Sequence, residues 1–425
     1  MIKNSSKKNF KTLFKKFAII IIILVLFLIF NVANYLKEKH DRNLLFQINN
    51  FEKNNNIKYT DIKEFRRINS ENILLDKKKY NKVNNPIISI IVTIYNQFHC
   101  IHKSIRSIQN QSIKNLEIII VDDCSSDNST EIIKRYQKED NRIIIIEHKT
   151  NQGKIKSRTD GIKIAKGKYI TILDGDDALI HKNILKNSLY ISNLGNFDVL
   201  EFKMLLFREG KLRNWCNKYS MDINNIEYQP KLRNKFFLLT NNHRHRAIQN
   251  RSICGKIIKN EIFKKVINLV GLKYIEDNII TYEDTIFVVA LFQISNSYYY
   301  FKEEGYYYSK DEKRRNTCSK INKCKPNKEV IKGMDPIKFL QFLIEKTRNN
   351  KDGRQLIYHE LMSINYYWNF NKNINHHFEM VYNILDKMIQ SRFLLKEQKK
   401  TLISIKNSLK EKEDNSLKIS FKKNI

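Results

Sequence analysis

Cysteine gives this sequence no framework. The six cysteines, Cys100, Cys124, Cys216, Cys254, Cys318 and Cys324, are scattered, and no two form a Cys-x-x-Cys pair. A cysteine-built zinc site is thereby excluded. In an oxidising compartment a disulfide or two remains open, with no pairing assigned. Acidic residues are scarce: 44 Asp and Glu face 77 Lys and Arg in 425 residues, a formal net charge of +33. Such a balance suits nucleic acid or an anionic membrane surface. No RNA- or DNA-binding signature accompanies it, however. The lysines are spread along the chain among Asn and Ile, so the charge specifies no partner and nucleic acid is not expected. His243 and His245 lack a third ligand at useful spacing and read as a basic loop. The hydrophobic fraction, 42%, is ordinary for a globular protein.

Acid is absent from residues 1–16, which carry six lysines. Phe17–Leu36 follows, apolar without interruption from Phe17 to Phe30. Twenty helical residues at about 1.5 Å each span roughly 30 Å, the thickness of a bilayer core. The preceding lysines put the N-terminus in the cytoplasm. Val32-Ala33 resembles a cleavage site, but the long run and the lack of a clear A-x-A favour an uncleaved anchor. The expectation is a single-pass type II membrane protein with residues beyond Lys37 in the Golgi or ER lumen. Residues 37–85, polar and rich in Lys and Asn, read as a stem.

Pro86 opens the globular region. Ile87–Ile94 and Leu116–Val121 are nearly continuous β-branched runs, as in strands buried on both faces. Arg142–Glu147 and Lys168–Leu173 are two more strands. Helical spacing over His102–Gln109, Ser129–Lys138 and Ile155–Ala165 separates them. The alternation predicts a mainly parallel sheet with crossover helices. Ligands of such sheets bind beyond the carboxyl ends of the strands. Asp122-Asp123 and Asp174-Gly175-Asp176-Asp177 fall at two such ends. Three close carboxylates repel one another unless a cation or donors sit among them, and hard oxygen ligands suit Mg²⁺ or Mn²⁺. Gly175 is read as the residue that lets this loop bend tightly. Taken alone, an Asp-Gly surface turn would account for the loop; its neighbours make it a nucleotide-binding arrangement.

The run Ile88–Asn96, the segment Ile118–Ser126 with its Asp122-Asp123-Cys124-Ser125 loop, Asn151-x-Gly153 with Ser157-Arg158 and Gly161, and Leu173–Asp177 together resemble the inverting, nucleotide-sugar-dependent glycosyltransferases of family 2, with the GT-A fold. Thr93, Cys124, Ser157 and Thr159 depart from that pattern, Cys124 standing where the family has Gly. The resemblance continues through Cys254-Gly255-Lys256 and Tyr282-Glu283-Asp284-Thr285-x-Phe287 to a loop at Tyr306–Thr317. It implies a domain over 86–319, with a nucleotide-binding half (86–200) and an acceptor half (201–319). Residues 320–425 match no family pattern and read as amphipathic helices.

The resemblance also implies roles. Asp176 would hold Mn²⁺ or Mg²⁺, with Asp174 or Asp177 on a ribose hydroxyl or a metal-bound water. Asp123 and Thr93 would face uracil and ribose, with Asp122 in the same pocket and Tyr95 packed on the base or in ordinary core. Lys154 and Arg158 face either the diphosphate or solvent. Inverting transfer needs a base for the acceptor hydroxyl and stabilisation of the departing diphosphate. Asp284 is the candidate base and Glu283 the alternative, while both also suit a helix N-terminus. The donor would be a UDP-sugar and the acceptor a glycan, glycoprotein or glycolipid. A GT-A-like binding module without catalysis and a polyprenyl-phosphate sugar synthase are the competing readings. The sequons at Asn110, Asn128 and Asn250 are short motifs in an Asn-rich chain and carry little.

Overall fold

The computed structural model describes residues 2–54, 80–208, 211–214, 226–228, 252–276, 279, 282–309, 328–347, 351–368 and 378–423. The chain divides into two units, Met1–Lys58 and Tyr59–Ile425. The first is one 53-residue helix, α1 (Ile2–Asn54), so the segment read as a stem begins as helix. The apolar side chains from Val25 to Phe30 are exposed along it. Among the described residues no helix is long and apolar enough to cross a membrane. The anchor expected over Phe17–Leu36 is thus not established; the side chains of residues 17–21 and of Leu24 lie outside the described set. His243, His245, Asn250, Cys216, Cys318 and Cys324 lie outside it too. Cys100, Cys124 and Cys254 are not in disulfides.

Among the described residues the second unit is built on a sheet of ten strands. β1 (Ile88–Ile94), β2 (Leu116–Asp122), β3 (Ile143–Glu147) and β4 (Tyr169–Asp174) alternate with α2 (Ile101–Gln109), α3 (Ser129–Glu139) and α4 (Lys154–Ile164). β1, β2 and β4 are buried at every residue, which is why their sequences show no polar alternation. These four strands are parallel, in the order β3-β2-β1-β4. The chain continues through β5 (Ala178–Leu179), α5 (Ile184–Leu194), β6 (Val199–Arg208), β7 (Lys211–Asn214), β8 (Ile226–Tyr228) and β9 (Lys256–Lys259). It then forms α6 (Asn260–Val270), α7 (Leu272–Glu276), α8 (Glu283–Ile294) and β10 (Ser297–Ser309).

The sheet is mixed, not mainly parallel. β9 runs antiparallel between β4 and β6, and β5, β7 and β8 are antiparallel to their partners. Among the described residues only β10 on β6 is parallel in this half. These additions have two to four residues each, too short for a periodicity that would reveal them. Tyr306–Ser309, expected in a loop, belong to β10, paired to Met204–Phe207 of β6. Beyond it lie α9 (Lys328–Lys346), α10 (Lys351–Trp368), α11 (Phe378–Ile389) and α12 (Lys396–Lys423). Their apolar positions, among them Phe339, Phe342, Leu343, Leu385 and Met388, are buried.

Candidate active site

The site forms along the carboxyl edge of β1, β2 and β4. Thr93 and Asp174 are register partners near the ends of β1 and β4, and Ile94 pairs with Asp122. Gly175 then turns the chain back, its amide donating to the Thr93 carbonyl at 3.1 Å. Space demands glycine here: a Cβ would lie 2.1 Å from Gln97 Oε1 and 2.6 Å from Ile94 Cγ2.

Each carboxylate of the Asp174–Asp177 loop has its own surroundings. Asp174 Oδ1 accepts from Arg158 Nη2 at 2.9 Å and from Thr93 Oγ1 at 3.4 Å, and Oδ2 accepts from Lys154 Nζ at 3.1 Å. Burial alone would raise the Asp174 carboxyl, but Lys154 and Arg158 outweigh it and hold it well below the usual carboxylate range. Asp177 is tied to β10: Tyr306 Oη donates to its Oδ2 at 2.7 Å and the Ser309 amide to its Oδ1 at 2.8 Å. Burial first, then Asp176, push its carboxyl well up. Among the described residues no ion pair reaches Asp176, and burial followed by the Asp174 charge raises it. Ligand oxygens of all three lie within 4.8 Å of one another. A divalent cation fits this donor set, because it would supply the charge that Asp176 lacks. Asp174 is already held by two cations and Asp177 by β10, so Asp176 is the carboxylate best placed to lead.

Arg158 connects this loop to the other end of the site. It sits on α4, fully buried, a placement that the solvated or diphosphate-facing reading did not anticipate. Its Nη1 donates to Asp284 Oδ1, 126 residues along the chain. The guanidinium therefore joins the Asp174–Asp177 loop to the acidic pair at the start of α8, and Lys154 remains exposed. Glu283 and Asp284 do occupy the first turn of α8, where the helix field favours acids. Burial, and then Asp284 beside it, push the Glu283 carboxyl up to about 7. Tyr282, just ahead, holds a left-handed backbone at φ 71°, which costs a non-glycine residue about 1–2 kcal/mol.

Asp122 and Asp123 work on their own corner. Asp122 accepts from the Ser125 amide at 3.0 Å and from Thr130 Oγ1. Asp123 Oδ1 accepts from the Gln152 amide at 2.7 Å and contacts His148 Nδ1 at 2.8 Å. Its Oδ2 accepts from the Gly153 amide at 2.8 Å, which leaves that oxygen one lone pair for a ligand. Cys124, where the family has Gly, takes the left-handed conformation at φ 66°. Tyr95 is half-buried just past β1, at the same edge.

Sequence reasoning did not single out Lys103, and it named Cys254 and Tyr306 only within segments of the resemblance, with no role of their own. Lys103 Nζ donates to the Asp176 carbonyl at 3.2 Å and lies 3.9 Å over the Tyr307 ring. Cys254 is buried in the field of Asp174, Arg158 and Asp284, and burial pushes its thiol well up. No local pattern marks a lone lysine on a helix or one tyrosine in a tyrosine-rich strand. Only the packing does.

An α/β domain whose acidic strand-end loop faces a second carboxylate pair is a GT-A arrangement. Residues 89–266 match the family described as glycosyl transferase family 2. An uncharacterized glycosyltransferase of Methanocaldococcus jannaschii is 39% identical over 121 residues, which are 28% of this chain and 42% of that protein. The GalNAc(5)-diNAcBac-PP-undecaprenol beta-1,3-glucosyltransferase of Campylobacter jejuni is 36% identical over 128 residues, 30% of this chain and 41% of its own length. The chain thus spans about two fifths of these curated relatives. The S. aureus TarS structure in complex with UDP superposes with a TM-score of 0.53 at 18% identity, over 80% of this chain and 92% of that one. At that identity the likeness concerns the fold.

Proposed function

We propose that this chain is a membrane-anchored inverting glycosyltransferase, hexosyl or N-acetylhexosaminyl in type, that moves a sugar from a UDP-sugar to a hydroxyl of a glycan, glycoprotein or glycolipid. The observation that carries it is the fully buried Arg158, which joins Asp174 of the metal loop to Asp284 at the start of α8. In this reading Asp284, with Glu283 beside it, takes the proton of the acceptor hydroxyl as that oxygen attacks the anomeric carbon. Asp123, Thr93 and Tyr95 line the nucleoside side, and Lys154 faces the diphosphate. Asp176, with Asp174 or Asp177, would hold Mn²⁺ or Mg²⁺, which when bound neutralises charge on the departing diphosphate. The Campylobacter relative is named for a lipid-linked glycan, so such an acceptor belongs among the candidates. The lysine-rich N-terminus and the exposed apolar residues Val25–Phe30 support an anchor with the catalytic unit on the lumenal side.

The test is turnover of a panel of UDP-sugars with Mn²⁺ or Mg²⁺. One or more should be turned over, with activity lost in EDTA and in Asp176→Asn while the fold is kept. Full activity of that variant, or in EDTA, would remove the metal from the reading. No turnover of any UDP-sugar would favour the binding-module alternative.

A further inference from the structure

We propose that the C-terminal helices are part of the catalytic apparatus, with Phe339 of α9 a positioning residue that fixes the Tyr282 turn and so sets where Glu283 and Asp284 lie. The inference rests on the reading of those carboxylates as the proton-accepting pair.

Tyr282 is the last residue before α8, and its left-handed backbone persists only where the surroundings over-determine it. The ring supplies such a restraint. It stacks on Phe339, centroids 4.8 Å apart and planes 13° from parallel. Phe339 is itself fully buried, as are Ile337, Leu340 and Leu343 of the same helix. The α9 helix also grips the chain ahead of the turn. Tyr274 of α7 meets Phe342 edge-on at 5.1 Å and donates to Glu345 Oε2 at 2.8 Å. Lys273 donates to Glu345 Oε1 at 2.9 Å. One helix thus holds both flanks of the segment leading into α8.

The body of α8 does not need this grip. Thr285–Phe292 is buried throughout, and Phe287 packs edge-on against Phe263 of α6 at 6.0 Å. What the stack adds is restraint on the first turn, where Ile286 N closes onto the Tyr282 carbonyl at 3.0 Å and the two acids project. A displacement of about 1 Å at a reacting group can cost 10²-fold in rate. A ring that fixes this turn therefore acts on chemistry through geometry, without touching substrate.

The experiment compares full-length Phe339→Ala and Phe339→Leu with wild type, measuring kcat, donor KM, UDP affinity and thermal midpoint. Phe339→Ala should lower kcat tenfold or more with donor KM and UDP affinity unchanged, and Phe339→Leu should fall between. Placed on Asp284→Asn, Phe339→Ala should lower activity no further, because the carboxylate it positions is gone. Combined with Tyr282→Ala, its effect should be less than multiplicative. A folded Phe339→Ala with wild-type kcat overturns the inference, as does a further loss on the Asp284→Asn background. If Phe339→Ala fails to fold, the same comparisons with Phe339→Leu decide. An active Asp284→Asn would instead overturn the underlying assignment of the base; an inactive Asp284→Asn beside a normal Phe339→Ala overturns this inference alone.

Discussion

Two acidic corners of the sheet are built from similar residues and held in opposite ways. At the end of β2, Asp122 and Asp123 take nearby donors, mostly backbone amides, from Ser125, Thr130, His148, Gln152 and Gly153. At the end of β4 the carboxylates are held by side chains from α4 and β10, or crowd one another. The first corner is answered locally: its acids shape the two loops they belong to and accept from, and one oxygen of Asp123 keeps a lone pair. The second concentrates uncompensated charge in a buried place, which is where reaction chemistry is expected. The difference lies in who answers each charge.

The largest effect should come from the second corner. Asp284→Asn should lose transfer by roughly 10²–10⁴-fold, the range for a positioned base, while UDP binding is kept. A near wild-type rate, or lost UDP binding, would show the wrong residue has been chosen. Removing the cation between the carboxylates should act on stability instead. Arg158→Met leaves Asp174 and Asp284 without their shared partner and should cost about 3 kcal/mol in denaturant unfolding. A change under about 1 kcal/mol would mean that the bridge is not a structural tie.

A smaller effect concerns pH. Glu283 has its pKa raised from 4.5 to about 7, so the folded chain binds the extra proton between those values. Wild-type stability should therefore fall as pH rises from 4.5 to 7, by at most about 3 kcal/mol relative to Glu283→Gln. Parallel stability curves for the two proteins would contradict this. The smallest effect belongs to the first corner. Cys124→Gly relieves a left-handed cysteine and should stabilise by about 1 kcal/mol or less, leaving activity intact. A loss of activity would show that the left-handed Cys124 conformation serves the site and not only the loop.

The first half of the sheet was legible because each strand there is a buried β-branched run bounded by helical spacing. β1 to β4 fall within a residue or so of where the sequence puts them. The Asp174–Asp177 loop was legible for the same reason: it follows such a run. The second half was not. β5, β7, β8 and β9 are too short to carry a period, and β10 is a tyrosine-rich strand with two register shifts against β6. Arg158 shows the deeper limit. Its position in the Asn-x-Gly segment was readable, but the sequence does not say that α4 would turn this arginine inward between acids from β4 and α8. The role of Phe339 was invisible for a similar reason, since its partner ring lies in a different element.

Gly161 carries a consequence for how this sequence can vary. It is buried on α4, and a Cβ there would come 2.6 Å from Ile91 Cγ2 and 3.3 Å from Val121 Cγ2. The helix that bears Lys154 and Arg158 lies against β1 and β2 with no methyl's width to spare. A larger residue at 161 requires a smaller one at 91 first, or the two cations are lifted away from Asp174. Position 91 should therefore change before position 161 as this sequence diverges, even though neither is placed against a substrate.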